Sequence, residues 1–107
     1  MKIDVKITVP NRDKYRKKAD SMQRFIDSEI IKKCAPYVPY KEGILEGSVK
    51  EGTIIGSGRL RWIVPYAKVR YDKGRRKGKR GPRWVARAMK ANRKSIIKGA
   101  IKVWSRS

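Results

Sequence analysis

Seven Lys or Arg side chains fall between Lys73 and Arg83, with no carboxylate among them. They are Lys73, Arg75, Arg76, Lys77, Lys79, Arg80 and Arg83, interrupted by glycines at 74, 78 and 81. Cations at this density suit contact with a polyanion, each acting as a point charge on a phosphate or carboxylate in a way that is insensitive to base sequence. Alone, the segment cannot bury apolar surface and its charges repel, which predicts an extended, mobile loop. Tyr71 and Trp84 flank it, in stretches whose patterns predict packed elements.

Other chemistry is poorly supplied. Histidine is absent, which removes the commonest acid–base residue and the commonest metal ligand. Cys34 closes a predicted helix with no histidine to activate it, and reads as a small buried core residue. Asp13, Asp20 and Asp27 recur at seven-residue spacing on one helix face, interleaved with Lys17 and Arg24, the pattern of a solvated stripe. The segment GRRKGKRG lacks the glycine spacing and the Ser or Thr of a phosphate-binding P-loop. No recognition-helix, zinc-finger or RNP pattern is present to read bases. The expectation is a non-enzymatic protein with no cofactor and no bound metal.

The charge is unevenly placed. Thirty Lys or Arg against nine Asp or Glu give +21 over 107 residues, a length suited to one domain, 1–107. Residues 1–56 hold 12 basic and 8 acidic side chains, net +4, whereas residues 57–107 hold 18 basic ones and only Asp72, net +17. Such asymmetry points to nucleic acid or an anionic surface. One cysteine excludes an internal disulfide and fits a reducing compartment. The alternating start MKIDVKITVP lacks a signal-peptide core, and no apolar run approaches the roughly 20 residues that span a bilayer. A soluble protein with no membrane partner, cytosolic when made, is expected.

The elements that must position the basic segment follow from periodicity. Met1–Val9 alternates apolar and polar residues, the pattern of a half-buried strand closed by Pro10. Asn11 is a candidate cap for a helix over Arg12–Cys34, whose apolar positions recur every three or four residues until Pro36 ends it. Pro36–Ser48 reads as a turn-rich connector. Val49–Ile55 and Arg59–Val64 read as a hairpin about Gly56-Ser57-Gly58, with Leu60, Trp62 and Val64 on one face. Pro65 predicts a bulge or an edge, after which Ala67, Val69 and Tyr71 resume strand alternation. Gly81-Pro82 opens a helix to about Trp104, with Val85, Ala88, Met89, Ile96, Ala100 and Val103 as its apolar stripe. The predicted fold is α+β: a small antiparallel sheet of three to four strands, a long helix in the N-terminal half and a C-terminal helix, with loop 73–83 projecting between the last strand and that helix. Trp62 and Trp84 read as core residues rather than base-stacking platforms.

The order of these pieces resembles the small minor capsid and head–tail neck proteins of tailed phages, the tail completion group. The resemblance spans roughly Ala19–Lys102 and is carried by Pro39–Ser48 (PYKEGILEGS), Val64-Pro65-Tyr66-Ala67, Tyr71 and Gly81-Pro82-Arg83-Trp84. Where relatives carry Asp-Thr before the glycine of the first motif, this chain has Lys41-Glu42. The resemblance implies a structural virion protein, a ring joining head to tail around the DNA channel, present in host cytoplasm during assembly. Its implied partners are further copies of itself, neighbouring connector and tail proteins, and packaged double-stranded DNA. Ile3, Val5 and Trp104 are candidate subunit contacts. Composition and size equally suit a competing reading, a sequence-nonspecific nucleic-acid-binding protein of nucleoid or ribosome-associated type.

Overall fold

Two long helices, packed antiparallel, form the body of the protein. The computed structural model describes residues 1–40 and 43–107. Lys41 and Glu42, the departure from the phage motif, lie outside the described residues. The elements are β1 (Lys2–Asp4), α1 (Arg16–Cys34), a single 3-10 turn (Ala35–Tyr37), α2 (Ile44–Gly52), β2 (Arg59–Arg61), α3 (Ala67–Lys73) and α4 (Trp84–Arg106). α1 and α4 are antiparallel because Tyr15 packs on Trp104 at 5.6 Å, Phe25 abuts Gly99, and Tyr37 meets Arg87. The pair sets an elongated shape of 44 × 25 × 20 Å.

The class is α+β, as predicted, but the described residues hold a sheet of two strands rather than three or four. β1 pairs antiparallel with β2 in the register Lys2↔Arg61, Ile3↔Leu60 and Asp4↔Arg59. The Trp62 amide donates to the Met1 carbonyl and the Val5 amide to that of Gly58, extending the ladder by a residue at each end. The predicted partner of β2, Val49–Ile55, is instead the second half of α2 and the turn after it. Leu45, Ser48 and Val49 are the buried positions there, a helical i, i+3, i+4 set that two glycines obscure in the sequence. Ala67–Tyr71 is also helical. Ala67 and Tyr71 are buried, and a separation of four suits either period, but Val69 between them is 61% exposed.

Asn11 does not cap α1. It adopts a left-handed φ of 52°, tolerated by asparagine, and its carbonyl accepts from the amides of Lys14 and Tyr15, so the helix starts a turn late at Arg16. Beyond β1 the strand has no backbone partner among the described residues past Val5, and Gln23 on α1 takes that place. The Ile7 amide donates to Gln23 Oε1 at 2.8 Å, and Gln23 Nε2 donates to the Val5 carbonyl at 3.2 Å. This explains why the side chains of residues 1–9 alternate in burial along a segment only partly in the ladder.

Asp27 is the largest departure from expectation. It is fully buried, not part of a solvated stripe with Asp13 and Asp20. Its Oδ2 accepts from the amides of Gly56 and Gly58 at 2.8 and 3.0 Å, and its Oδ1 accepts from Gln23 Nε2 at 2.8 Å. One side chain thus anchors the turn that feeds β2 and the glutamine that holds the N-terminal strand. Gly58 has a φ of +74°, and a Cβ there would lie 2.8 Å from the Lys6 backbone, so glycine is required where its amide meets Asp27.

The core sits between the helices and β2. Trp62 and Trp84 are fully buried and meet edge to face at 5.6 Å, while Tyr71 meets Trp84 edge to face at 4.6 Å. Both tryptophans are core residues, as predicted, and among the described residues neither indole N–H finds an acceptor. Ile3 and Val5, candidate subunit contacts, pack half-buried against this core, and Trp104 packs on Tyr15. Cys34 is also buried, and desolvation pushes its thiol up from 9.0 to about 12. The native protein is therefore expected to resist a thiol reagent at pH 8 and to react once unfolded in guanidinium. The neutral thiol favours the folded state. That contribution is complete below pH 9.0 and is lost as pH rises toward about 12, which alkaline melting measurements on the parent and Cys34→Ser will compare.

Candidate polyanion-contact surface

The basic segment begins where α3 ends. The Gly74 amide closes that helix on the Arg70 carbonyl at 3.1 Å. Beyond it Lys77 and Arg80 pair across a tight turn, the Lys77 amide donating to Arg80 at 2.7 Å and the Arg80 amide back to Lys77 at 3.1 Å. Arg76 Nε donates to the Gly78 carbonyl at 2.9 Å, bracing the turn from within. Gly81 lets the return strand pass close by, since a Cβ there would fall 2.7 Å from Arg76 Cα. The Arg83 amide donates to the Tyr71 carbonyl at 3.0 Å and closes the base of the loop.

Two arginines then fasten the loop to the 3-10 turn that follows α1. Helix C-termini leave carbonyls without intrahelical donors and carry partial negative charge, so cations settle there. Arg80 Nη1 donates to the carbonyls of Ala35 and Val38 at 3.2 and 2.7 Å, and lies 3.6 Å from Glu46. Its guanidinium also covers the Tyr40 ring at 5.0 Å. Arg87, from the first turn of α4, donates to the carbonyls of Lys79, Pro82 and Tyr37, with its guanidinium 5.3 Å from the Tyr37 ring. The Gly81 amide adds a bond to the Tyr37 carbonyl at 3.0 Å. The loop is thus tied down along its length, unlike the mobile segment its composition predicts.

This sorts the seven cations. Arg80 is half-buried and spent on the scaffold, whereas Lys73, Arg75, Arg76, Lys77, Lys79 and Arg83 are exposed. Asp72, the one carboxylate of the second half, accepts from Lys68 Nζ at 2.7 Å and lies 4.0 Å from Arg83. The hydrogen bond from Lys68 and the surrounding cations hold its carboxyl below the usual range, so it stays ionised at neutral pH. Between the loop and the 3-10 turn lies a shallow basin lined by Pro36, Pro39, Tyr40, Arg75, Lys77, Lys79 and Arg80. α4 continues the positive surface with exposed Lys90, Arg93, Lys94, Lys98 and Lys102.

Sequence reasoning missed Arg87 and the scaffold role of Arg80. The available signal was the pair Pro36 and Pro39, whose missing amides break the helical ladder after α1 and leave carbonyls of the 3-10 turn in need of donors. A second surface, also not anticipated, is apolar. Ile44 is 51% exposed, Ile63 46% and Ile54 79%, and Ile44 and Ile63 line a groove with Val64 and Pro65 whose one charged lining residue is Glu51. No described helix is long and apolar enough to cross a membrane, and the described residues contain no cluster of potential metal ligands. No family model, curated protein or solved structure matches the chain.

Proposed function

We propose that the chain is a structural, non-enzymatic subunit of a tailed-phage head–tail junction, a neck or tail completion protein that assembles as a cyclic homo-oligomer around the DNA channel of the virion. The observation that carries this reading is the apolar surface around α2. Ile44, Ile54, Ile55, Ile63 and Val69 stand exposed in and around α2, a larger group than the exposed Ile97 and Ile101 on the otherwise densely charged α4. An exposed apolar groove such as that of Ile44, Ile63, Val64 and Pro65 marks an interaction site, and its burial against a neighbour stabilises by about 25 cal/mol per Å². A ring of such subunits, with adjacent connector and tail proteins above and below, supplies that burial on every copy. Within the ring the basic loop faces either the channel or an acidic surface of the next protein.

The exposed cations favour a second reading, a nucleic-acid-binding module that acts without a ring. Light scattering at low and moderate salt, with and without DNA, separates the two. A ring-sized mass, or entry into rings with connector partners, supports the neck assignment, and a monomer or dimer that coats DNA sinks it. Ile54→Asp and Ile63→Asp are expected to abolish the ring mass. Because both side chains are exposed, each variant is expected to melt within about 0.5 kcal/mol of the parent.

A further inference from the structure

We infer that the basin between loop 73–83 and the 3-10 turn is a binding site for the phosphodiester backbone of duplex nucleic acid, with Arg80 and Arg87 as positioning residues. This rests on the loop being a polyanion contact, and not on the ring. Three observations carry it. First, the basin has built walls: Arg75, Lys77, Lys79 and Arg80 line it together, with Tyr40 and two prolines, so several cations converge on one concavity. Second, the loop is held in place before any ligand arrives. Its turn is braced by Arg76, its base closed by Arg83 on Tyr71, and its flank fixed by Arg80 and Arg87 on carbonyls of residues 35–38 and 79–82. Ordering costs that a mobile basic loop meets on binding are thereby largely removed.

Third, the surroundings select phosphate over other polyanions. An acidic protein surface would be expected to use aromatic or aliphatic anchors at the centre of the contact. Between Lys73 and Arg83 the chain offers only cations, glycines and one proline, and the basin adds to these only Tyr40, Pro36 and Pro39 at its far wall. Single strands are held on several open aromatic faces. Here Trp62 and Trp84 are fully buried, and the Tyr71 and Tyr37 rings are covered by Arg83 and Arg87. Tyr40, 62% exposed with Arg80 over its ring, is the single aromatic lining the basin, short of the several faces a strand needs. What remains is point-charge contact to phosphates, which positions a duplex without reading it.

The test measures anisotropy of two labelled duplexes of unrelated sequence, and of one matching single strand, between 50 and 300 mM salt. With about four or five phosphates engaged, log K is expected to fall with log salt at a slope of roughly −4, equally for both duplexes. Lys77→Ala with Lys79→Ala, both exposed and fold-neutral, is expected to lower the slope by about 2 and to weaken binding roughly 30- to 100-fold at 100 mM salt. Arg80→Lys and Arg80→Ala test positioning. Loss of the carbonyl tether is expected to weaken binding about 3- to 10-fold in both variants with the slope preserved, because ordering and not a phosphate contact is lost. A slope reduced by about 1 in Arg80→Ala alone, with Arg80→Lys binding as the parent does, would make Arg80 a contact residue and overturn the positioning role. Lys98→Ala with Lys102→Ala, at the far end of α4, is expected to keep the parent slope.

Absence of saturable binding at 50 mM salt, a parent-like slope in the loop variant, loss through the α4 variant instead, or tighter binding of the single strand would each overturn the site. Light scattering on the same samples separates this from the ring. Rings that ignore DNA sink the basin and leave the neck assignment, whereas a monomer that binds with the expected slope does the reverse.

Discussion

Asp27→Ala is expected to destabilise the protein by about 3–5 kcal/mol, because it removes the shared acceptor of three donors in and beside the core, and a buried donor left unpaired costs about 1–3 kcal/mol. Those donors are the Gly56 and Gly58 amides, of which Gly58 is the buried one, and Gln23 Nε2, which loses one of its two bonds and keeps that to the Val5 carbonyl. Nothing else among the described residues replaces the carboxyl group, and the Gly58 segment is held close against the Lys6 backbone. Loss of this size removes a large share of a small domain's stability and shifts its melting temperature by roughly 15 °C or more. Asp27→Asn is the informative companion. Its amide keeps the shape and can still accept from the two glycines, but then its NH2 group faces Gln23 Nε2, donor against donor. Gln23 cannot turn to relieve this without breaking its bonds to Val5 and Ile7. An intermediate loss of about 2 kcal/mol is expected, measured by urea unfolding. A value within 0.5 kcal/mol of the parent for Asp27→Ala would show that the turn and strand are held by packing alone.

Asp27 also shows what the sequence hid. Its heptad spacing from Asp13 and Asp20 is that of a wet helix face, and the feature that buries it, a Gly-x-Gly turn, lies about thirty residues downstream. Local periodicity cannot see a partner at that distance. The long helices were legible because many turns of three- and four-residue spacing leave little room for another period. Short elements were not: Leu45, Ser48 and Val49 occupy a single helical turn, and Ala67 and Tyr71 satisfy strand and helix alike. The same division runs through the basic loop. Its charge was plain in the composition, but which cations face solvent depends on three carbonyls, of Ala35, Tyr37 and Val38 in and just after the 3-10 turn, that only the folded chain brings near Arg80 and Arg87.

Trp84→Ala is expected to cost about 3–5 kcal/mol, the range for removing a large aromatic from a core, and to loosen the basic loop as well. Trp84 is fully buried against Trp62, which follows β2, and Tyr71 of α3, while itself opening α4. It therefore joins the two ends of the loop from beneath, alongside the Arg83–Tyr71 hydrogen bond. Trp84→Phe should cost much less, about 1–2 kcal/mol. A ring remains to meet Tyr71 and Trp62, and the indole N–H that is removed has no acceptor among the described residues to strand. If Trp84→Ala proves too unstable to purify, Trp84→Phe carries the comparison. Neither substitution alters charge, so attraction for DNA by net charge alone would leave duplex binding untouched. A loop whose geometry matters would instead bind more weakly in proportion to the lost stability, with an unchanged salt slope. The two outcomes distinguish a surface that is merely positive from one whose cations are held in register by the aromatic core below it.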